Sequence, residues 1–266
     1  MSKHGRRFVW LIFGGVFLAL CAIRPQVDVQ VMPSVRGVYD KIESLPPRSP
    51  LLVSVDYSPS FAAELNPLTA AICRHAFRKN LRVIGVSLTD SAVGTAQDLL
   101  AASAAPYGRT YGADYVYLGW KPAEAGVVTG LGLDIAAVFP SDFRGTPVAL
   151  LPALDGIKTL GDFPFAVQIG AGFQSIPAWI AYASDRYGLK IAIGCNAGAE
   201  PSLRPFFASG QIAGLIPSIE GAAQYEKLLG HKGEATTGLG VISYVQLGLA
   251  AMIILLNIPP FWRRKK

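Results

Sequence analysis

Two stretches of the chain show no alternation of polar and apolar positions and carry no charge. Residues 8–23 read FVWLIFGGVFLALCAI, sixteen in all, and residues 239–258 make a second run of twenty. At ~1.5 Å of rise per residue a helix over the first spans about 24 Å and one over the second about 30 Å. The hydrocarbon core of a bilayer is about 30 Å thick. The second run is therefore long enough to cross. The first is slightly short, and Arg7 and Arg24 at its ends can snorkel to the interfaces. A cleaved signal peptide is the rival reading of the first run. Leu20-Cys21-Ala22 puts a bulky residue where cleavage needs a small one, and the Leu before Cys21 does not suit a lipoprotein site. The expectation is an uncleaved signal-anchor. Tyr244, Gln246 and Asn257 interrupt the second run; Gln246 can face a partner helix, or one amide near the end of a span can equally be tolerated without a role.

Between the runs the periodicity changes. In residues 24–50, Val35, Val38, Tyr39, Ile42 and Leu45 recur at spacings of three and four, which predicts a short juxtamembrane helix stopped by Pro46-Pro47. From residue 51, short apolar runs alternate with helical spacing. Strands are predicted at 51–57, 82–88, 114–120, 164–171, 189–196 and 211–217. Helices are predicted at 61–80, 95–105, 176–188, 201–209 and 218–230, with Pro67 at a helix start or kink. Residues 122–139 read as a Gly-rich helix or packed loop, and 140–160 as irregular. Alternating strand and helix imply a parallel sheet covered on both faces. The predicted fold class is therefore α/β, a doubly wound, mostly parallel, Rossmann-like sheet flanked by the two apolar helices. The domain plan is a tail and first span at 1–23, a juxtamembrane segment at 24–50, an α/β domain at 51–238, a second span at 239–258 and a basic tail at 259–266.

Charge refines this plan. Charged residues make up 16% of the chain, against about 25% in ordinary soluble proteins. The net charge of +6 is concentrated at the ends, which hold 7 of the 24 basic residues and none of the 18 acidic ones. The middle is nearly neutral, with 17 basic residues against 18 acidic. Basic tails beside apolar spans are topology signals, and no basic stripe in the middle argues for nucleic acid. Both termini are expected in the cytoplasm of a cell-membrane protein, with the central domain outside it. Cys73 and Cys195 lie far apart in this middle region and read as two buried thiols, not as a disulfide framework.

Ligands of doubly wound sheets bind beyond the carboxyl ends of the strands. The candidates for catalysis there are Asp56, Asp90 and Lys121. Either Asp could hold a metal or act as a base, or could simply open the next helix. Lys121 could bind an anion or act as an amine nucleophile, or be a solvated loop lysine. The candidates for ligand binding are Ser58, Ser91, Gly170, Gly172, Asn196 and Ser218. IGAGFQS (169–175) has glycines between strand and helix, where bare amides can hold an anion. Ser175 stands where a dinucleotide fingerprint needs its third glycine, so a tight turn competes with that reading. Three scattered histidines form no zinc motif, so no metal is expected, and no cofactor is specified. Arg74, Arg78, Lys79 and Arg82 could face lipid headgroups or solvent.

The stretches YGADYVYLGWKP (111–122) and SGQIAGLIPSIEGAAQYEKL (209–228) resemble segments of an uncharacterised family of bacterial membrane proteins, from about residue 35 to the second span. The resemblance implies a bacterial membrane origin and carries over no catalytic residue. The leading expectation is a membrane-tethered binding or assembly module within a larger complex, its partners the bilayer and a membrane protein or a second copy. The alternatives are a hydrolase or transferase using Asp56 and Asp90, and a small-solute sensor binding near Gly170–Gly172.

Overall fold

The computed structural model describes residues 14–20, 22–23, 27–172 and 175–257, the last three by backbone alone. It divides into an α/β unit, Val29–Ala235, and a unit made of the two chain ends, Met1–Asp28 with Thr236–Lys266. In chain order the elements are α1 (Pro33–Glu43), β1 (Pro50–Asp56), α2 (Ala62–Arg78), β2 (Arg82–Ser87), α3 (Val93–Ala104), β3 (Tyr115–Trp120), α4 (Glu124–Leu131) and α5 (Ile135–Val138). There follow β4 (Phe165–Gly170), α6 (Ile176–Ala178, continuing as a π-helix over Trp179–Arg186), β5 (Ile191–Cys195), α7 (Glu200–Ala208), β6 (Gly214–Pro217), α8 (Ser218–Leu228) and α9 (Glu234–Asn257).

The six strands form one sheet in the order β3-β2-β1-β4-β5-β6, and every pairing is parallel. Apolar runs make such strands because both faces must be covered. On one face Leu52, Ile84, Val116, Ala166, Ile191 and Leu215 join a core with side chains of α4, α6 and α7, among them Val127, Trp179 and Leu203. On the other face lie α1, α2, α3 and α8. Strand glycines admit three of these closely. A Cβ at Gly85 would meet Leu100 of α3, one at Gly194 would meet Leu68 of α2, and one at Gly214 would meet Val38 of α1. The chain order reverses between β1 and β4, which makes that boundary the topological switch point of a doubly wound sheet.

Some elements differ from the sequence expectation. Pro67 lies in the second turn of α2, buried, where its missing amide gives up the bond to the Ala63 carbonyl. Residues 122–139 divide into α4 and α5, because the Asp134 carboxylate accepts the Ala136 amide at 2.9 Å and starts a new helix. β6 begins at Gly214 and not at 211, since the Ile212 amide turns back to the Phe206 carbonyl at 3.2 Å. The predicted juxtamembrane helix is α1, and it packs within the α/β unit with Val35, Val38 and Ile42 buried.

In the unit formed by the chain ends, residues 14–20 and 22–23 are helical, and the rest of the 8–23 run lies outside the described residues, as does the tail at 259–266. Among the described residues one helical stretch, Glu234–Ile254, is long and apolar enough to cross a membrane, by length and composition.

Candidate functional site

The switch point is closed by a buried carboxylate. Ser54 and Asp56 point to the same face of β1, two residues apart, and Gln168 of β4 is the register partner of Ser54. α6 covers this face and lowers Trp179 onto it. The Asp56 Oδ1 accepts the Leu88 amide at 2.6 Å. Its Oδ2 accepts the Ser54 hydroxyl at 2.7 Å, the Gln168 amide at 3.1 Å and the Trp179 indole N–H at 3.1 Å. Gln168 donates also to Ser175 at the start of α6, at 3.1 Å. One side chain thus ties β1, β4, α6 and the end of β2 together. Burial pushes the Asp56 carboxyl above the usual carboxylate range, against the pull of its four donors.

On the opposite face of the sheet, the Tyr117 hydroxyl donates to Ser87 at 2.9 Å, and burial raises it to about 12. Glu124, at the start of α4, is raised first by burial and then by the charge of Asp56. Two buried oxygens at this edge, Gln168 Oε1 and Thr89 Oγ1, have no partner among the described residues.

The other sequence candidates lie around this edge. Asp90 is exposed, and its carboxylate accepts the Ser91 amide at 2.6 Å in the turn that opens α3. Lys121 is exposed, its ammonium 5.9 Å from the centre of the Phe139 ring. Asp56, Asp90 and Lys121 follow three neighbouring strands, yet among the described residues they share no hydrogen-bond partner. The Ser58 hydroxyl lies 2.6 Å from that of Ser60, and the Ser218 hydroxyl accepts the Glu220 amide at 3.2 Å. Gly170 is buried and pairs with Asp56 across the switch point. Gly172, at φ +68°, and Asn196 are brought together, the glycine amide donating to Asn196 Oδ1 at 3.0 Å. This bond ties the β4 loop to the β5 loop and occupies an amide that an anion would need.

Sequence reasoning found Asp56 and missed Ser54, Gln168, Trp179 and Glu124. Polar Gln168 within the apolar strand FAVQIG was the available signal. Nothing along the chain pairs Trp179 with an acid 123 residues away.

Two cavities open elsewhere. One of about 630 Å³ lies in the connection from β3 to β4, walled by Ile135, Val148, Leu151, Leu154 and Ile157, with Asp134, Asp155 and Lys158 among its polar lining. The second, of about 330 Å³, lies at the opposite edge of the sheet beside Arg74 and His231. None of the nine sequence candidates lines either cavity. Both described cysteines are free and buried, their thiols pushed up to about 12 by burial. Among the described residues no three His, Cys, Asp or Glu side chains gather as a metal site would require. No protein-family model, curated protein or solved structure matches the chain.

Proposed function

We propose that the chain is a membrane-tethered binding or assembly module, held by two spans with both termini in the cytoplasm and the α/β unit outside it. The observation that carries the reading is the state of Asp56. It stands where a doubly wound enzyme places its chemistry, and it is buried with all four donors directed inward. A carboxylate so committed holds elements together and has little capacity left for a substrate.

The tether is supported from two sides. α9 is apolar over the length a span needs. Within the α/β unit both terminal connections are fastened to α8. The Met32 amide donates to Gln224 Oε1 at 2.9 Å, and the Lys227 ammonium to the Val29 carbonyl at 2.7 Å. The buried Glu226 carboxylate accepts the amides of Gly233 and Ala235, each at 3.0 Å, at the N-terminal end of α9 where negative charge is favoured. Three residues of one helix therefore hold both connections.

Small-solute binding is a second reading, favoured by the 630 Å³ cavity, whose apolar walls and few polar groups suit a small ligand.

Purification in a mild detergent, with mass measured by native mass spectrometry, tests the module. The expected result is a complex heavier than one chain, or a retained small ligand. A bare single chain would overturn the assembly reading, and a chain that stays dispersed without any amphiphile would overturn the tether. A reporter fused at the C-terminus is expected to read cytoplasmic; an outside reading reverses the topology.

A further inference from the structure

The 330 Å³ cavity is lined by Arg74, Arg78, Pro106, Tyr107, Leu229 and His231. It lies at the amino edge of the sheet, where α2, α8 and the turn after α3 deliver the chain back from parallel strands. The neighbouring basic side chains have structural employment. Arg78 donates to Glu43 at 3.1 Å, to the Tyr39 hydroxyl at 3.2 Å and to the Leu229 carbonyl at 3.5 Å, and Lys79 lies 3.4 Å from Glu43. Arg109 holds Asn80 and the Phe77 carbonyl at the end of α2, and Arg82 holds the carbonyls of Arg48, Ala153 and Asp155. Arg74 is different. Its side chain is half-buried, yet among the described residues no hydrogen bond or ion pair engages its guanidinium. The Tyr107 hydroxyl is likewise unengaged, and no acidic side chain lines the cavity. The partial negative charge at the end of α2 is met by Arg109, which leaves the charge of Arg74 in surplus.

We infer that this cavity binds the phosphate group of a phosphate ester. Arg74 supplies a bidentate fork, His231 and Tyr107 supply further donors, and Pro106 and Leu229 form an apolar wall for the ester substituent. His231 precedes Glu234, the first residue of α9, by three positions, a chain length of at most about 11 Å. A lipid headgroup and a soluble phosphate ester share this chemistry. The cavity stands independently of the tether; only the lipid as source rests on it.

The test uses the full chain in an uncharged detergent, with calorimetric titration of glycerol 1-phosphate, dihexanoyl phosphatidylglycerol and, as a zwitterionic control, dihexanoyl phosphatidylcholine. Saturable binding of at least one of the first two is expected, weakened roughly tenfold or more by Arg74→Gln and less by Arg74→Lys, because a charged hydrogen bond is lost in the first and a fork in the second. Arg74→Gln removes no internal bond, so its thermal midpoint without ligand should match the parent. Stronger binding of the phosphatidylglycerol identifies a lipid source, and equal or stronger binding of glycerol 1-phosphate a soluble one. Absence of saturable binding, or equal binding by parent and Arg74→Gln, overturns the inference. If the chain needs no detergent but still binds through Arg74, the tether fails and the site stands.

Discussion

Two buried side chains tie elements of the α/β unit to one another, and each makes a distinct prediction. Asp56→Asn replaces one carboxylate oxygen by an NH2 group. With the remaining oxygen kept on the Leu88 amide, that NH2 faces Ser54, Gln168 and Trp179. The serine hydroxyl and the glutamine amide can turn to accept, but the indole N–H cannot. One buried donor is left unmet, at about 1–3 kcal/mol. Chemical denaturation should show that loss with an otherwise native fold; an unaltered midpoint would mean that Asp56 is not a structural tie. His75 is the second case. It is buried with Nε2 at 2.7 Å from Glu43 and Nδ1 at 2.7 Å from the Tyr225 hydroxyl. The carboxylate only accepts, so Nε2 carries the proton and Nδ1 accepts from the tyrosine. Burial lowers the imidazole to about 4, opposed by Glu43 and reinforced by Arg78 and Lys79, while Tyr39 stacks on the ring. The native state then binds fewer protons than the unfolded chain between pH about 4 and the ordinary value near 6.5. Stability contributed here is complete above that ordinary value and declines as pH falls through the window. Glu43, itself lowered chiefly by its bond to His75, adds to the loss on further acidification. His75→Gln should flatten the dependence of the melting temperature on pH between about 6.5 and 4. Parallel profiles for the two proteins would refute this account.

Elements meet through close approaches as well as polar ties, and α1 on β6 is the clearest. Gly214 has no side chain because Val38 and the Ser34 carbonyl of α1 occupy the space above it. Gly214→Ala drives a methyl into Val38 and should destabilise by about 1–3 kcal/mol. Val38→Ala opens room at the same point. The double variant should therefore be more stable than the sum of the single changes by roughly 1 kcal/mol, a coupling readable in a double-mutant cycle. Strict additivity would show that the helix moves away instead. The same physics explains what the sequence disclosed. Parallel strands buried on both faces leave dense apolar runs such as LLVSVD and FAVQIG, and the six-stranded sheet follows from them. Boundaries set by tertiary bonds were not legible. The division of 122–139 depends on one Asp134 cap, and the start of β6 on a carbonyl of α7. The candidate site was half legible. Strand ends gave Asp56, Asp90 and Lys121, but only folding shows that the first is enclosed while the other two stay outside. The cavity beside Arg74 collects residues from three separate helical regions, a convergence no spacing rule anticipates.

At the scale of the molecule the question is whether the α/β unit needs its apolar ends. Its sheet, both helical layers and the fastening of Val29, Met32, Gly233 and Ala235 to α8 all lie within residues 29–235. A core of this kind, closed on both faces, satisfies the requirements for independent folding. The excised segment 29–235 should therefore unfold in a single cooperative transition and remain dispersed without detergent, whereas the full chain should require an amphiphile. Gly233 gives a check on the fastening within the full chain, because a Cβ there would meet the Glu226 carboxylate. Gly233→Ala should push that carboxylate off the amides of residues 233 and 235 and raise hydrogen exchange at both, while the amides of β1 and β4 keep their protection. Aggregation of the excised segment would show that the ends stabilise the unit. Unchanged exchange at residues 233 and 235 would show that Glu226 is not what secures the connection to α9.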